Sequence, residues 1–211
     1  TLAAVYGARI GLELSSIALF ASIPILAGAL SQVPVGIASD RYDRRVVLVV
    51  IASIAVLADG LFLFGGFTTP GVVMTVAALF GATVYAMYPV IVAHASDHAA
   101  PGTFIQVSGG LLLVFGIGSI IGPTVAGFAM SSYGETMLFA VTAAAHVGLV
   151  VFALIRLKYA PAVAAEKKGS FQATPMGRAS TPETAALAAT EVEFRAEPKY
   201  EVDPESPKQD I

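Results

Sequence analysis

Five stretches of this chain are each long and apolar enough to cross a bilayer, and no other feature limits the fold so severely. A helix needs roughly 20 apolar residues to span about 30 Å of hydrocarbon. The blocks run over about 15–38, 46–66, 71–93, 104–130 and 136–155. Helices are the natural form, because no strand-length alternation is present and backbone groups in lipid must be satisfied within their own segment. Composition agrees: 56% of the residues are hydrophobic and 13% are charged, against about 25% charged in an ordinary soluble domain. The expected surroundings are therefore a lipid bilayer. Residues 1–8, TLAAVYGA, read as the last two turns of a further helix whose start is missing. The chain opens on Thr1 with no signal peptide in view, so a processed protein or, in preference, a fragment of a longer one is expected.

The breaks between blocks are short: GGFTTPG at 65–71, HASDHAAPGT at 94–103 and SSYGE at 131–135. Short connections make successive helices antiparallel neighbours in a bundle. Pro24, Pro34, Pro89 and Pro123 fall inside the apolar spans, where neighbouring helices and polar side chains can compensate the freed carbonyls. The bundle is expected over 1–156. Beyond it the texture changes: residues 157–211 carry seven Lys/Arg and nine Asp/Glu with little bulky apolar content. Such a segment cannot bury enough surface to offset its ordering entropy. It reads as a disordered tail, with a transient helix over 181–194 capped by Thr181 and opened by Pro182.

Cationic residues near the span ends set orientation. One side receives Arg41, Arg44, Arg45, Arg156, Lys158, Lys167 and Lys168, and the other only Arg9. The loop at 39–45, the stretch 94–103 and the tail are thus expected to face the cytoplasm of a bacterial inner membrane.

The loop lies in PVGIASDRYDRR, residues 34–45, which sets five full charges between two oily segments. At the membrane surface hydration removes most of their cost. Asp40 is expected near the positive end of the following helix. A positive-inside anchor alone accounts for such a loop, but the spacing carries more. Gly36, Ser39, Asp40, Arg41, Arg44 and Arg45 resemble the loop signature of the major facilitator superfamily, G-x-L-(A/S)-D-(R/K)-x-G-(R/K)-(R/K). Ala38 replaces its Leu and Asp43 its second Gly. A second element agrees. Gly109, Gly118, Gly122, Pro123 and Gly127, with Ala126, fit the spacing of a Gly-Pro motif that resembles one found on helix five of the family's antiporters. Ordinary small-residue packing is the competing reading. YPVIVAHASDHA (88–99) followed by VSGGLLLVFGIGSIIGP (107–123) is similar to the YcaD-like branch of that family.

The resemblance, over roughly 1–156, implies the C-terminal half of a twelve-helix transporter: five complete spans, helices eight to twelve, and a remnant of helix seven. The loop would act as a gating latch in alternating access. The implied partners are a small-molecule substrate, the lipid bilayer and the N-terminal half; no nucleic acid and no cofactor are expected. Tyr85 and Tyr88, three apart on the implied helix ten, share a face and become cavity candidates, with an aromatic packing pair as the plainer alternative.

Asp59 is the acid well inside a span, roughly 20 Å beyond Val46 at 1.5 Å per residue. It is expected to reach the far interface or to sit protonated, and is a candidate for proton coupling. His146 is expected to bond Thr142 one turn back. His94, Asp97 and His98 suggest a partial metal set, but their place at a helix end and the missing fourth ligand argue against it, and no metal is expected. Cysteine is absent, which excludes thiolate sites and cysteine nucleophiles. No phosphate-binding G-x-x-x-x-G-K-(S/T) occurs, so ATP-driven transport is disfavoured. Two rivals remain, a non-transporting scaffold or sensor with a partner-binding tail and, less favoured for want of a nucleophile-base pair, a membrane enzyme.

Overall fold

The computed structural model describes residues 2–100 and 103–159. Six helices follow one another: α1 (Leu2–Arg9), α2 (Leu14–Arg41), α3 (Arg44–Phe64), α4 (Pro70–Asp97), α5 (Phe104–Tyr133) and α6 (Met137–Tyr159). Five of them, α2 to α6, are long and apolar enough to cross a membrane. Of the segment expected as a tail, residues 157–159 are helical, because α6 continues through Lys158 and Tyr159; the rest of it, with the 181–194 helix, lies outside the described residues.

The helices alternate in direction and so gather their turns at two ends. One end holds the α2–α3 turn, the α4–α5 connection and the last residues of α6; it carries most of the charge. The other holds the turns at 10–13, 65–69 and 134–136. Here three glycines with positive φ, Gly11, Gly66 and Gly134, let the chain reverse where a side chain would strain. Pro70 opens α4 at its first turn, where its missing N–H costs nothing.

Packing is led by α2 against α4, with α3 held between α4 and α6. Small residues bring these backbones together. A Cβ at Gly81 would collide with the backbone of Pro24, and one at Gly28 with the Tyr85 side chain. Without a hydrophobic drive between helices in lipid, such close approach is what holds a bundle. Ser31 adds a bond across the same seam, its hydroxyl donating to the Ala82 carbonyl at 2.5 Å. Two apolar clusters fill the interior. Leu48, Ile51, Ala52, Ala55, Met87 and Val90 join α3 to α4. Toward the other end Tyr6, Phe20, Phe62 and Phe139 bring together α1, α2, α3 and α6, with Phe62 and Phe139 stacked at 4.1 Å between ring centroids.

The outlying helix is α5. Its apolar window is 6% buried, against 44% for those of α3 and α4. Leu113, Val114, Ile120, Ile121 and Phe128 are all exposed. In a bilayer such surface meets acyl chains or another helix rather than water.

The sequence expectations on helix ends need correction. The charged loop expected over 39–45 is only Tyr42 and Asp43; Ser39, Asp40 and Arg41 end α2, and Arg44 and Arg45 open α3. Likewise α4 runs on through His94 and Asp97 rather than stopping at residue 93. Polarity marks where the hydrocarbon ends, whereas a helix ends where its backbone bonding does.

Candidate functional site

The charged end is built around two adjacent arginines. Asp43 caps α3: its Oδ1 accepts from the backbone N–H of Arg45 at 2.9 Å. The acid at the positive end of α3 is therefore Asp43 and not Asp40, which occupies the last turn of α2. Where the family loop has glycine, this chain has a capping carboxylate. The same carboxylate holds the Arg45 guanidinium, with Nε to Oδ1 at 3.1 Å and Nη2 to Oδ2 at 2.7 Å, the forked arrangement that makes such pairs strong. Arg45 Nη1 then donates to the Arg156 carbonyl at 2.9 Å. That carbonyl is among the last of α6, which lack partners within the helix and attract cations.

Arg44 turns the other way. Its Nε lies 2.8 Å from Oδ2 of Asp97 at the end of α4, with the two side chains 1% and 2% exposed. Nε–H is not aimed for a straight hydrogen bond, so charge rather than direction carries the attraction. The contacts from Nη1 to Ser39 Oγ at 3.4 Å and from Nη2 to Asp40 Oδ1 at 3.5 Å are long, and Asp40 is 42% exposed. Solvent-exposed pairs contribute little, so of these contacts the one to Asp97 is the principal one. Arg44 thus ties α3 to α4, and Arg45 ties α3 to α6. Arg41 is exposed, and Gly36 is buried on the face of α2 that also carries Gly28, Gln32 and Ser39.

A second polar cluster lies within the spans. Asp59 is fully buried on α3. Thr142 Oγ1 donates to its Oδ1 at 2.6 Å, and Nδ1 of His146 lies 2.7 Å from its Oδ2. Both partners come from α6. Asp59 therefore does not reach the far interface, and His146 does not bond Thr142; each of the two binds the carboxylate instead. Burial without partners would cost several kcal/mol, and the two bonds offset that cost. At the other end of the bundle Arg9 Nη1 donates to the Met130 carbonyl at 2.9 Å, a cation on the final turn of α5.

The remaining candidates are dispersed. Tyr85 packs on Gly28 of α2, while the Tyr88 ring lies 5.4 Å from Phe115 of α5. Though three apart, they meet different helices. A Cβ added at Gly109, Gly118 or Gly122 would meet nothing within 4 Å, and one at Gly127 only the tip of Leu2 at 3.9 Å. The Gly-Pro stripe, with Pro123 inside α5, is open here. Among the described residues no group of three or more His, Asp or Glu converges as a metal-ligand set; Asp97 is engaged by Arg44.

Sequence reasoning did not find the Arg44–Asp97, Asp59–His146 and Arg9–Met130 contacts. A signal existed for the second: an acid in one span and a histidine in another call for a shared partner. Nothing local in the sequence announces the other two.

These features define a multi-pass helical membrane bundle with paired charges at one end. The family model of the Major Facilitator Superfamily matches residues 1–197, so the chain belongs to that superfamily. The match runs past residue 156, the end of the span over which the sequence motifs carry the resemblance. Relatives include an uncharacterized MFS-type transporter of Enterobacter sp. (strain 638), 30% identical over 129 residues, or 61% of this chain and 32% of that one. The uncharacterized MFS-type transporter YcaD of Salmonella arizonae is 28% identical over a stretch of the same extent. The chain thus spans about a third of the length of these curated relatives, 32% in each case. No solved structure matches.

Proposed function

We propose that this chain forms the C-terminal half of a secondary active transporter that moves a small solute by alternating access. The observation that carries the reading is the shielded Arg44–Asp97 pair, set where the family loop signature leads into α3. A pair of this kind is an on-off tie between helices: its charges attract strongly only while water is excluded. In the proposed cycle it holds α3, α4 and, through Arg45, α6 together at the cytoplasmic end, and rocking against the other half loosens it. Gly36, Ser39, Asp40 and Arg41 shape the turn that presents Arg44. Tyr85 and Tyr88, on α4, lie toward the substrate path, and the open glycine stripe of α5 faces the partner half.

Proton coupling is a finer reading of the same kind. It is supported by the fully buried Asp59 with His146 at 2.7 Å, an acid and an imidazole within reach of a direct proton exchange.

The experiment places the 211-residue chain in liposomes, alone and co-reconstituted with a six-helix N-terminal half, under an imposed pH gradient. Uptake of labelled sugars, amino acids and cationic dyes is followed. Saturable uptake that needs both halves supports the proposal. Robust uptake by the chain alone, with a crosslinked dimer, overturns the half-transporter reading, and no uptake with both favours a scaffold.

A further inference from the structure

We propose that His94, on the last turn of α4, and His98, which caps that helix, form a two-imidazole site for a divalent transition-metal ion of the Zn2+ or Cu2+ kind. His98 lies just past α4 with its backbone still in the right-handed helical region (φ −101°, ψ −3°), so it stands about one turn beyond His94, and residues four apart in that geometry lie near one face. This is the spacing of the two zinc-binding histidines in the helical H-E-x-x-H motif. The ring centroids are 4.5 Å apart. A metal–nitrogen bond of about 2.0–2.1 Å, opened to an angle between right and tetrahedral, sets two ligating rings roughly 4.5–5 Å apart. The observed spacing suits a shared ion.

The tautomer of His98 supports the same reading. Its Nδ1 lies 2.9 Å from the His94 carbonyl oxygen. A carbonyl only accepts, so Nδ1 carries the hydrogen and Nε2 of the neutral ring keeps its lone pair. Metal-binding histidines characteristically donate their other ring N–H to a carbonyl or carboxylate in this way. His98 is exposed and His94 half-buried, beyond the apolar part of α4, so an ion can arrive from water.

Asp97 and Asp43 are the nearby acids that act on His94, and Arg45 the nearby cation. Asp97 is engaged by Arg44, and Asp43 by Arg45, so water completes the coordination. The chain has three histidines and no cysteine, and the third, His146, is buried against Asp59. Imidazole ligation of an added ion therefore maps to this turn. Chelation would link residue 94 to residue 98 across the residue that holds Arg44, and so would stiffen the turn presenting Asp97. That consequence rests on the proposed latch; the binding does not.

The test uses the untagged 211-residue chain in detergent micelles, titrated with Cu2+ and followed by electron paramagnetic resonance. The expected result is one Cu2+ per chain with a two-nitrogen pattern, displaced by excess Zn2+. His94→Gln and His98→Gln each abolish that pattern, while circular dichroism shows unchanged helix content; both side chains are at least partly exposed, so both variants fold. Absence of stoichiometric binding in the wild type overturns the proposal. So does a two-nitrogen pattern that survives either substitution.

Discussion

Arg44 and Asp97, on two different helices, bring opposite charges within 2.8 Å in a setting that shields both side chains almost completely. Two charges so placed are costly to separate, since removing one leaves the other buried and deprived of its shortest contact. Such breaks cost about 3–5 kcal/mol, whereas an apolar pair of similar volume is often neutral. Asp97→Ala alone is expected to lower the unfolding midpoint in detergent markedly, and Arg44→Met with Asp97→Leu to recover most of the loss. The double-mutant cycle measures the difference.

The Asp59 cluster predicts an order of effects. Asp59→Ala leaves His146 and Thr142 without their common acceptor, and each lost hydrogen bond contributes about 0.5–1.5 kcal/mol. Thr142→Val removes a single donor, for which the loss is expected to be smaller. Equal destabilisation by the two substitutions would show that the carboxylate is not the centre of the cluster.

Glycine substitutions separate a closed seam from an open one. Gly81→Ala drives a methyl group into the Pro24 backbone, and overpacking of this kind costs about 1–3 kcal/mol. Gly118→Ala meets nothing within 4 Å and is expected to leave the stability of this chain unchanged or slightly raised. Thermal unfolding of both variants side by side checks the contrast.

Orientation is tested at two exposed positions at opposite ends, Thr69 and Ala100. The chain has no cysteine, so single introduced cysteines report cleanly. Thr69→Cys is expected to react with an impermeant maleimide in intact cells, and Ala100→Cys only after lysis. The reverse pattern would invert the assignment.

The helices were legible because lipid imposes length and apolarity on every span, and that demand is local in sequence. The ends were not. Ser39, Asp40 and Arg41 look like loop because they are polar, yet they remain helical beyond the hydrocarbon. Asp43, which reads as a misfit for glycine, proves to be the cap of α3. The ties between helices were hidden for a different reason. His146 sits four residues from Thr142 and reads as its partner, but α3 brings Asp59 between them and both turn to it. Arg44 could have paired with any acid at its end of the bundle; the packing of α3 on α4 selects Asp97.

The central claim is that the Arg44–Asp97 pair works as a latch and not merely as packing. The most direct measurement is solute flux in proteoliposomes holding both halves of the transporter, with the native pair or with Arg44→Met and Asp97→Leu together. The double variant keeps the volume and most of the stability but has no charge to make or break. Normal insertion is expected, with flux lowered at least about tenfold, equivalent to about 1.4 kcal/mol in the barrier between states. Flux at the native rate in the double variant would contradict the claim and reduce the pair to a structural contact.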